Sequence, residues 1–553
     1  MARLIKTTNE TQGGVKDAIQ KGEEGRTGKC LSDLRLTDPC DDMRRIADTK
    51  GGLFRGASDW ILNSDDFRQW RDADHARLLW IKGDPGKGKT MLMITIVEEL
   101  ERQRSLSSTA LSYFFCQGTD ENLNHAAAVL RGLIYTLCDQ QPLLASHLRA
   151  RYDHAGARLF QDANSFYALS KVLENILQDD RLQRAYLVVD ALDECVAGRD
   201  QLLRLITGHV IASPRIKWIV SSRNVPEIEN LLKMETSDDP HGPEVRLSLE
   251  VTQNADQVAL AVNAFIDHRL SAIGPLQVDH ETRSQVRDVI REKANGTFLW
   301  VALVIDKLRE TSSWDMLEAL KELPEQLEGI YDLMIQQIQN RKGKNFQFCQ
   351  LVLSAATLAY RPLHLTELAI VSRLPAIISD HASRVQEVVS LCGFFLTVKD
   401  NVVYLLHQSV KDYLSDRASQ TIFPSSPSQV HHAMFVRSVD ALSTGRLQRN
   451  MYDLRLGTTI DNGKAPEPDP LASVRYSCVH WARHFCDMNL GKSRFSGFQT
   501  EDLERIDRFI RGFFLYWLEA AALLQSMSEI IISMQQLETF FKVSALSKPS
   551  RLY

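Results

Sequence analysis

Apolar residues follow two different patterns along the chain. From Gly51 to about residue 250, short apolar runs alternate with amphipathic stretches. Trp60, Ile61, Leu62, Phe67 and Trp70 predict a helix that packs. Leu78-Leu79-Trp80-Ile81 predicts a buried strand, followed by glycine-rich sequence and the amphipathic run Met91 to Leu100. Further strands are predicted at Ala110 to Phe115, Tyr186 to Val189, Ile216 to Ser221 and Val245 to Leu249, with helices at Ala126 to Leu137 and Phe166 to Leu177. This alternation predicts an α/β domain, an open parallel sheet with helices on both faces. Ser237 to Pro243, polar and bearing Pro and Gly, reads as a surface loop before the last strand.

Past residue 250, helical periodicity takes over. The exception is Phe394-Phe395-Leu396-Thr397-Val398 and Val402-Val403-Tyr404-Leu405-Leu406 around the polar Lys399-Asp400-Asn401, which predicts a hairpin. Helices flank it on both sides, which suits a winged-helix module. Pro-bearing breaks at Phe423 to Pro427 and Ala465 to Pro470 set off a helical tail, and Phe513 to Leu524 reads as a buried helix within it. Before Phe54 there is no aromatic residue, and residues 1–30 lack apolar periodicity, so a largely disordered leader is expected over residues 1–50. The remaining boundaries fall at 51–250 for the α/β domain, 251–340 for a helical domain, 341–422 for the winged-helix-like domain and 423–553 for the tail.

Composition limits what such a chain can be. At 553 residues, three or four domains of roughly 150 residues are expected. Lys and Arg total 65 against 70 Asp and Glu, a formal charge of −5, which removes the electrostatic argument for nucleic acid or an anionic membrane as partner of the whole chain. No apolar stretch approaches the roughly 18 residues of a membrane span, and polar Thr7-Thr8-Asn9-Glu10 arrives before any signal-peptide apolar region. Nine cysteines, never spaced C-x-x-C, point to buried thiols in a reducing compartment, so a cytoplasmic location is expected.

The strongest chemical signal is Gly83-Asp84-Pro85-Gly86-Lys87-Gly88-Lys89-Thr90, which fits G-x-x-x-x-G-K-[ST] between a predicted strand and a predicted helix. Glycines let the backbone wrap phosphates closely, and the loop amides with the following helix N-terminus attract the anion. Lys89 would reach the β- and γ-phosphates and the Thr90 hydroxyl would coordinate Mg²⁺. Tyr186-Leu187-Val188-Val189-Asp190-Ala191-Leu192-Asp193-Glu194 supplies the second half. A buried strand ending in a carboxylate places Asp190 opposite the phosphate loop, where it can hold the magnesium water shell. Asp193 and Glu194, one turn on, could polarise an attacking water. Trp218-Ile219-Val220-Ser221-Ser222-Arg223 ends a further strand in an arginine, which at the carboxyl edge of an open sheet faces the ligand crevice and could sense a γ-phosphate.

These segments carry a resemblance. Leu78 to Thr90, Tyr113 to Gly118, Val188 to Cys195, Ser221 to Asn224, Asn295 to Trp300 and Leu406 to Leu414 resemble a NACHT-type NTPase of the STAND class, in particular fungal NOD-like receptors related to heterokaryon-incompatibility proteins. Pro470-Leu471 and Arg475-Tyr476-Ser477-Cys478 resemble that family's helical tail. The resemblance implies Gly83 to Thr90 as Walker A, Asp190 with Asp193 and Glu194 as Walker B, and Arg223 as sensor. His407 resembles the winged-helix histidine that contacts the β-phosphate of a bound diphosphate. Gly296 matches the helical-domain position where many relatives place a proline near the base, and Thr297-Phe298 departs from that pattern. Typical members also carry an effector domain before the NTPase and sensing repeats after it. Here the leader is short and no repeats precede Tyr553, so those parts are lost, supplied by a partner, or missing from a truncated sequence.

The expected function is a signalling switch that binds and slowly hydrolyses ATP or GTP with Mg²⁺, forms a homo-oligomer when activated, and works with effector or sensor proteins. Two alternatives stay open: a scaffold that binds nucleotide and hardly hydrolyses it, and a motor-like remodelling NTPase. Cys478, His480, His484 and Cys486 suggest zinc, yet ligands from one straight helix cannot converge tetrahedrally, so a packed helix is expected.

Overall fold

The structure is a computed structural model that describes residues 25–104, 109–160, 164–232, 244–250, 252–273, 279–454, 465–488 and 500–546. The chain divides into two compact units, residues 1–327 and 328–553. The expected loop at Ser237 to Pro243 lies outside the described residues.

The first unit is built on five parallel strands: β1 (Leu78–Lys82), β2 (Thr109–Phe115), β3 (Arg184–Asp190), β4 (Ile216–Ser222) and β5 (Glu244–Ser248). Their order is β2-β3-β4-β1-β5, so β4 lies between β1 and β3. Strands β1 and β4 are buried along almost their whole length, as expected for runs covered on both faces. The apolar stripes of the helices Ala126–Gln140, Ser165–Gln178 and Arg199–Ala212 face inward, and Leu133, Leu173 and Leu203 are fully buried with Trp80, Leu187 and Trp218. One charge inside this core is explained by a helix end. The Lys217 ammonium donates to the carbonyls of Trp70, Arg71 and Ala73 at 2.7, 3.2 and 2.9 Å, satisfying the last turn of the helix Asp65–Asp72. Burial pushes its pKa down to about 8.

The leader differs from expectation. Residues 1–24 lie outside the described residues, but residues 25–34 are helical, and a second helix runs Pro39–Thr49. Cys30 and Leu34 are fully buried, and Met43 and Ile46 nearly so. Few apolar positions suffice here because each meets the preformed flank of the α/β core. Asp38 caps the second helix by accepting from the Cys40 amide at 3.0 Å, a start signal that aromatic content and periodicity do not register.

In the second unit, the strands β7 (Leu396–Lys399) and β8 (Val402–Leu405) form the expected hairpin. Its turn is only Asp400-Asn401, both left-handed at φ +50° and +63°, the geometry that matches strand twist. A short strand, β6 (Leu363–His364), adds to the free edge of β8 and was not predicted. The helix Leu327–Gln339 packs here: Tyr331 meets Phe395 and Tyr413 at ring-centroid distances of 5.9 and 5.1 Å. The tail packs around Trp481, Phe509 and Trp517. Within the expected buried stretch Phe513 to Leu524, Trp517, Ala520 and Ala521 are buried while Leu515 is 75% exposed, so only one face of that helix packs. No helix among the described residues is long and apolar enough to cross a membrane.

Candidate functional site

Strand order places the first unit's chemistry. Register pairs Val189 of β3 with Val220 of β4, and Ile81 of β1 with Ser221. The residues just past those pairs therefore gather at the carboxyl edge of the sheet, where open α/β sheets bind ligands.

Gly83 to Gly88 forms the turn after β1, and Lys89–Arg104 is the helix that follows. Gly86 and Gly88 hold φ of +80° and +85°, open to glycine at little cost. A Cβ at Gly86 would sit 2.9 Å from the Thr297 methyl group, and one at Gly88 would sit 3.0 Å from the Phe298 ring. Residues 295–299 thus close over this loop. The Lys87 ammonium donates to the Asn295 carbonyl at 2.7 Å, and the Leu299 amide to that of Gly86 at 3.4 Å. The segment expected near a nucleotide base lies against the phosphate loop itself.

Lys89 folds back onto that loop, donating to the carbonyls of Gly83 and Asp84 at 2.5 and 3.0 Å. Burial lowers its pKa, opposed by the charges of Asp193 and Asp190. Thr90, at the start of the helix, accepts from the Lys50 ammonium at 3.1 Å, and its hydroxyl acts on the Asp190 carboxyl in favour of the ionised form. Asp190 is buried, which raises its pKa. The Ser221 hydroxyl donates to Asp190 Oδ1 at 2.5 Å and accepts from the Ala191 amide at 2.9 Å. That second bond holds Ala191 in the left-handed region at φ +54° and turns the chain out of β3.

Past Ala191, the short turn Leu192–Glu194 places two carboxylates differently. Asp193 accepts from the Arg223 amide at 2.9 Å and pairs with its guanidinium at 2.9 Å. Glu194 accepts from the Gly118 amide at 2.8 Å, and its burial, with Asp193 nearby, pushes the carboxyl up to about 7. Glu250, just past β5, accepts from the Asp84 amide at 2.6 Å, and the Asn224 side chain donates to Asp84 at 3.1 Å.

Gly83, Asp84, Pro85, Gly86, Lys87, Gly88, Lys89, Thr90, Asp190, Asp193, Glu194 and Arg223 therefore lie along one sheet edge. Ser221, Lys50, Gly118 and Glu250 join them without having been singled out for this site. Ser221 ends a predicted strand, but a serine there carries no mark of its neighbour on β3. The arrangement fits a magnesium nucleotide: Gly86 and Gly88 give the loop the left-handed backbone that wraps phosphates, and Thr90 and Asp190 offer the hard oxygen donors Mg²⁺ prefers.

His407 belongs to the second unit, as N-cap of the helix Gln408–Ser415. Its Nδ1 accepts from the Ser409 amide at 3.1 Å and lies 2.8 Å from the Ser409 hydroxyl. An amide can only donate, so Nδ1 carries the lone pair and the neutral ring carries its proton on Nε2. The zinc-like group is a packed helix, Arg475–Asp487. His484 is fully buried, with its two ring nitrogens 2.8 Å from His431 Nδ1 and 2.8 Å from the Tyr476 hydroxyl. All nine cysteines are free thiols.

Comparison with known proteins accords with this geometry. Residues 56–223 match the family model described as Nephrocystin 3, N-terminal. The chain is 42% identical over 545 residues to the vegetative incompatibility protein HET-E-1 of Podospora anserina, an alignment covering 95% of this chain and 39% of that protein. The chain thus spans well under half the length of the curated relative it matches. Among solved structures, the ORC2 protein of Aeropyrum pernix, described as ADPNP-ADP complexes, is 11% identical with a TM-score of 0.32, covering 66% of this chain and 95% of that one. Drosophila ORC bound to AT-rich DNA and Cdc6 is 11% identical with a TM-score of 0.28, covering 94% of this chain and 74% of that one. Over nearly its whole length the chain is thus similar to a vegetative incompatibility protein, and its phosphate-loop edge agrees with the NACHT-type resemblance read from its motifs.

Proposed function

We propose that this chain is a nucleotide-dependent signalling switch that binds ATP or GTP with Mg²⁺ and hydrolyses it slowly. The observation that carries the reading is the convergence of Lys89, Thr90 and Asp190 at the sheet edge, where the Lys89 and Thr90 side chains both act on the buried Asp190 carboxyl. In this reading Gly83 to Gly88 wrap the phosphates, Lys89 releases the Gly83 and Asp84 carbonyls to reach the β- and γ-phosphates, and Thr90 and Asp190 hold the metal. Arg223 senses the γ-phosphate, and Glu194, a carboxyl near neutrality at about 7, serves as base toward water. Residues 341–422 act as a winged helix that brings His407 to a bound diphosphate, and activation leads to a homo-oligomer with effector or sensor partners. The relative's name, a vegetative incompatibility protein, supports a role in incompatibility signalling.

One observation favours a second reading, a scaffold with little hydrolysis: Asp193 is engaged by Arg223 and Glu194 by the Gly118 amide, so both carboxylates have other partners. Single-turnover hydrolysis separates the two, since the switch retains diphosphate after cleavage and the scaffold leaves triphosphate intact. The test of binding itself is Lys89→Ala. A charge-assisted bond contributes about 1.5–3 kcal/mol, so calorimetric affinity should fall by at least about tenfold. Equal affinity for both proteins would refute the reading.

A further inference from the structure

We propose that Lys50 is a residue of the nucleotide site: an ammonium that occupies the cation position at Thr90 and competes with Mg²⁺ for it. This inference rests on the reading of Gly83 to Thr90 as a nucleotide-binding loop.

The contact is specific. Lys50 lies 40 residues before Thr90 and ends the helix Pro39–Thr49, yet its ammonium donates to Thr90 Oγ1 at 3.1 Å. A lysine at a helix C-terminus ordinarily turns to solvent or to the last free carbonyls. Here the hydroxyl it reaches is that of Thr90, which the proposed metal site shares with the buried Asp190 carboxylate. The Lys50 charge also acts on Asp190 and on Glu194, favouring their ionised forms. One ammonium thus serves, in part, the carboxylates that a divalent cation would serve.

The backbone on either side holds Lys50 in this place. Before it, the helix is anchored through buried Met43 and Ile46. After it, Gly51 and Gly52 take φ of +90° and +85°, a reversal that other residues make only under strain. A Cβ on Gly51 would come within 3.2 Å of the Arg269 guanidinium. Beyond the glycines, Phe54 stacks on His268 with ring centroids 4.3 Å apart, and Arg55 pairs with Glu98 on the phosphate-loop helix. The lysine is therefore carried on a short reversal fastened at both ends.

Competition follows from charge and coordination. Mg²⁺ draws its oxygen ligands to about 2.1 Å and tolerates little deviation from octahedral geometry. The Thr90 oxygen that a metal would take as ligand is already engaged by the ammonium, and a metal on that oxygen would stand within a few ångströms of the ammonium nitrogen. Two cations so placed also repel each other. Metal at Thr90 therefore requires Lys50 to leave, and its departure loosens the reversal at Gly51-Gly52. Metal occupancy is in this way linked to the position of the preceding helix.

The test titrates Mn²⁺, read as free ion by electron paramagnetic resonance, into the full chain saturated with a non-hydrolysable adenosine or guanosine triphosphate analogue. Lys50→Gln should bind Mn²⁺ at least about tenfold more tightly than wild type, whereas Lys50→Arg, which keeps the charge, should stay within about threefold. Tightening in Lys50→Gln alone supports the competition. If analogue binds and Mn²⁺ affinity is unchanged or weaker in Lys50→Gln, this inference is overturned while the nucleotide-binding reading stands. If the wild-type chain binds neither analogue, both fall together.

Discussion

Arg223 is held by Asp193 through both of its polar ends: its Nε lies 2.9 Å from one carboxylate oxygen, and its backbone amide donates to the other at 2.9 Å. The pair ties the end of β4 to the turn after β3. A guanidinium so engaged has part of its charge neutralised and offers a γ-phosphate a weaker attraction. Asp193→Asn keeps an acceptor for the amide and removes the charge. It should therefore raise triphosphate affinity by about tenfold relative to diphosphate. The gain should vanish in the Asp193→Asn/Arg223→Ala double variant, because the guanidinium that contacts phosphate is then absent. Calorimetric titration of the four proteins checks this. An additive pair of effects would mean that Asp193 does not act on triphosphate affinity through Arg223.

His407 has two separable functions in this account, and the capping bond allows them to be divided. Its Nδ1 accepts from the Ser409 amide, which fixes the neutral ring's proton on Nε2. His407→Ala removes both, and should lower stability by about 1 kcal/mol through loss of the N-cap. Asparagine is among the best caps, so His407→Asn should melt close to wild type. If the imidazole contacts diphosphate, both variants release diphosphate about tenfold faster. Wild-type release from His407→Asn would confine this histidine to capping.

His209 predicts a pH dependence away from the site. It stacks on Trp218, ring centroids 6.0 Å apart, and neither ring nitrogen has a hydrogen-bond partner among the described residues. Burial holds it neutral and pushes its pKa down to about 4. Unfolded, the same ring takes a proton near 6.5. Between those values the unfolded state binds a proton the folded state refuses, so stability falls as pH drops from about 6.5 to 4, by at most about 1.4 kcal/mol per pH unit. His209→Phe keeps the stacking and removes the proton uptake. It should be more stable than wild type, and by about 1–2 kcal/mol more at pH 5 than at pH 8. His125, also pushed down to about 4, leaves a residual slope in the variant. A stability difference equal at the two pH values, measured by denaturant titration, would show that His209 does not carry this dependence.

Much of the first unit was legible in the sequence because the signals are local. A phosphate loop needs glycines where the backbone turns left-handed, and Gly86 and Gly88 are written at those positions. Strands covered on both faces need continuous apolar runs, and Leu78 to Ile81 and Tyr186 to Val189 supply them. A two-residue hairpin turn favours residues such as Asp400-Asn401, which tolerate positive φ. In each case the residue that carries the signal is also the one whose conformation it sets.

What only the tertiary structure decided is who meets whom. The order β2-β3-β4-β1-β5 inserts β4 between the phosphate-loop strand and the strand ending in Asp190, and this alone gives Ser221 its carboxylate. Nothing near Lys50 marks it for Thr90, because the contact depends on where an entire helix packs. Nor does the acidic run at Asp193-Glu194 reveal that one carboxylate holds Arg223 and the other the Gly118 amide. Local conformation follows from the φ, ψ and solvent preferences of a few adjacent residues. Strand order and helix docking arise from the burial of surfaces far apart in the chain, so the partners of a polar side chain are set only after those surfaces have met.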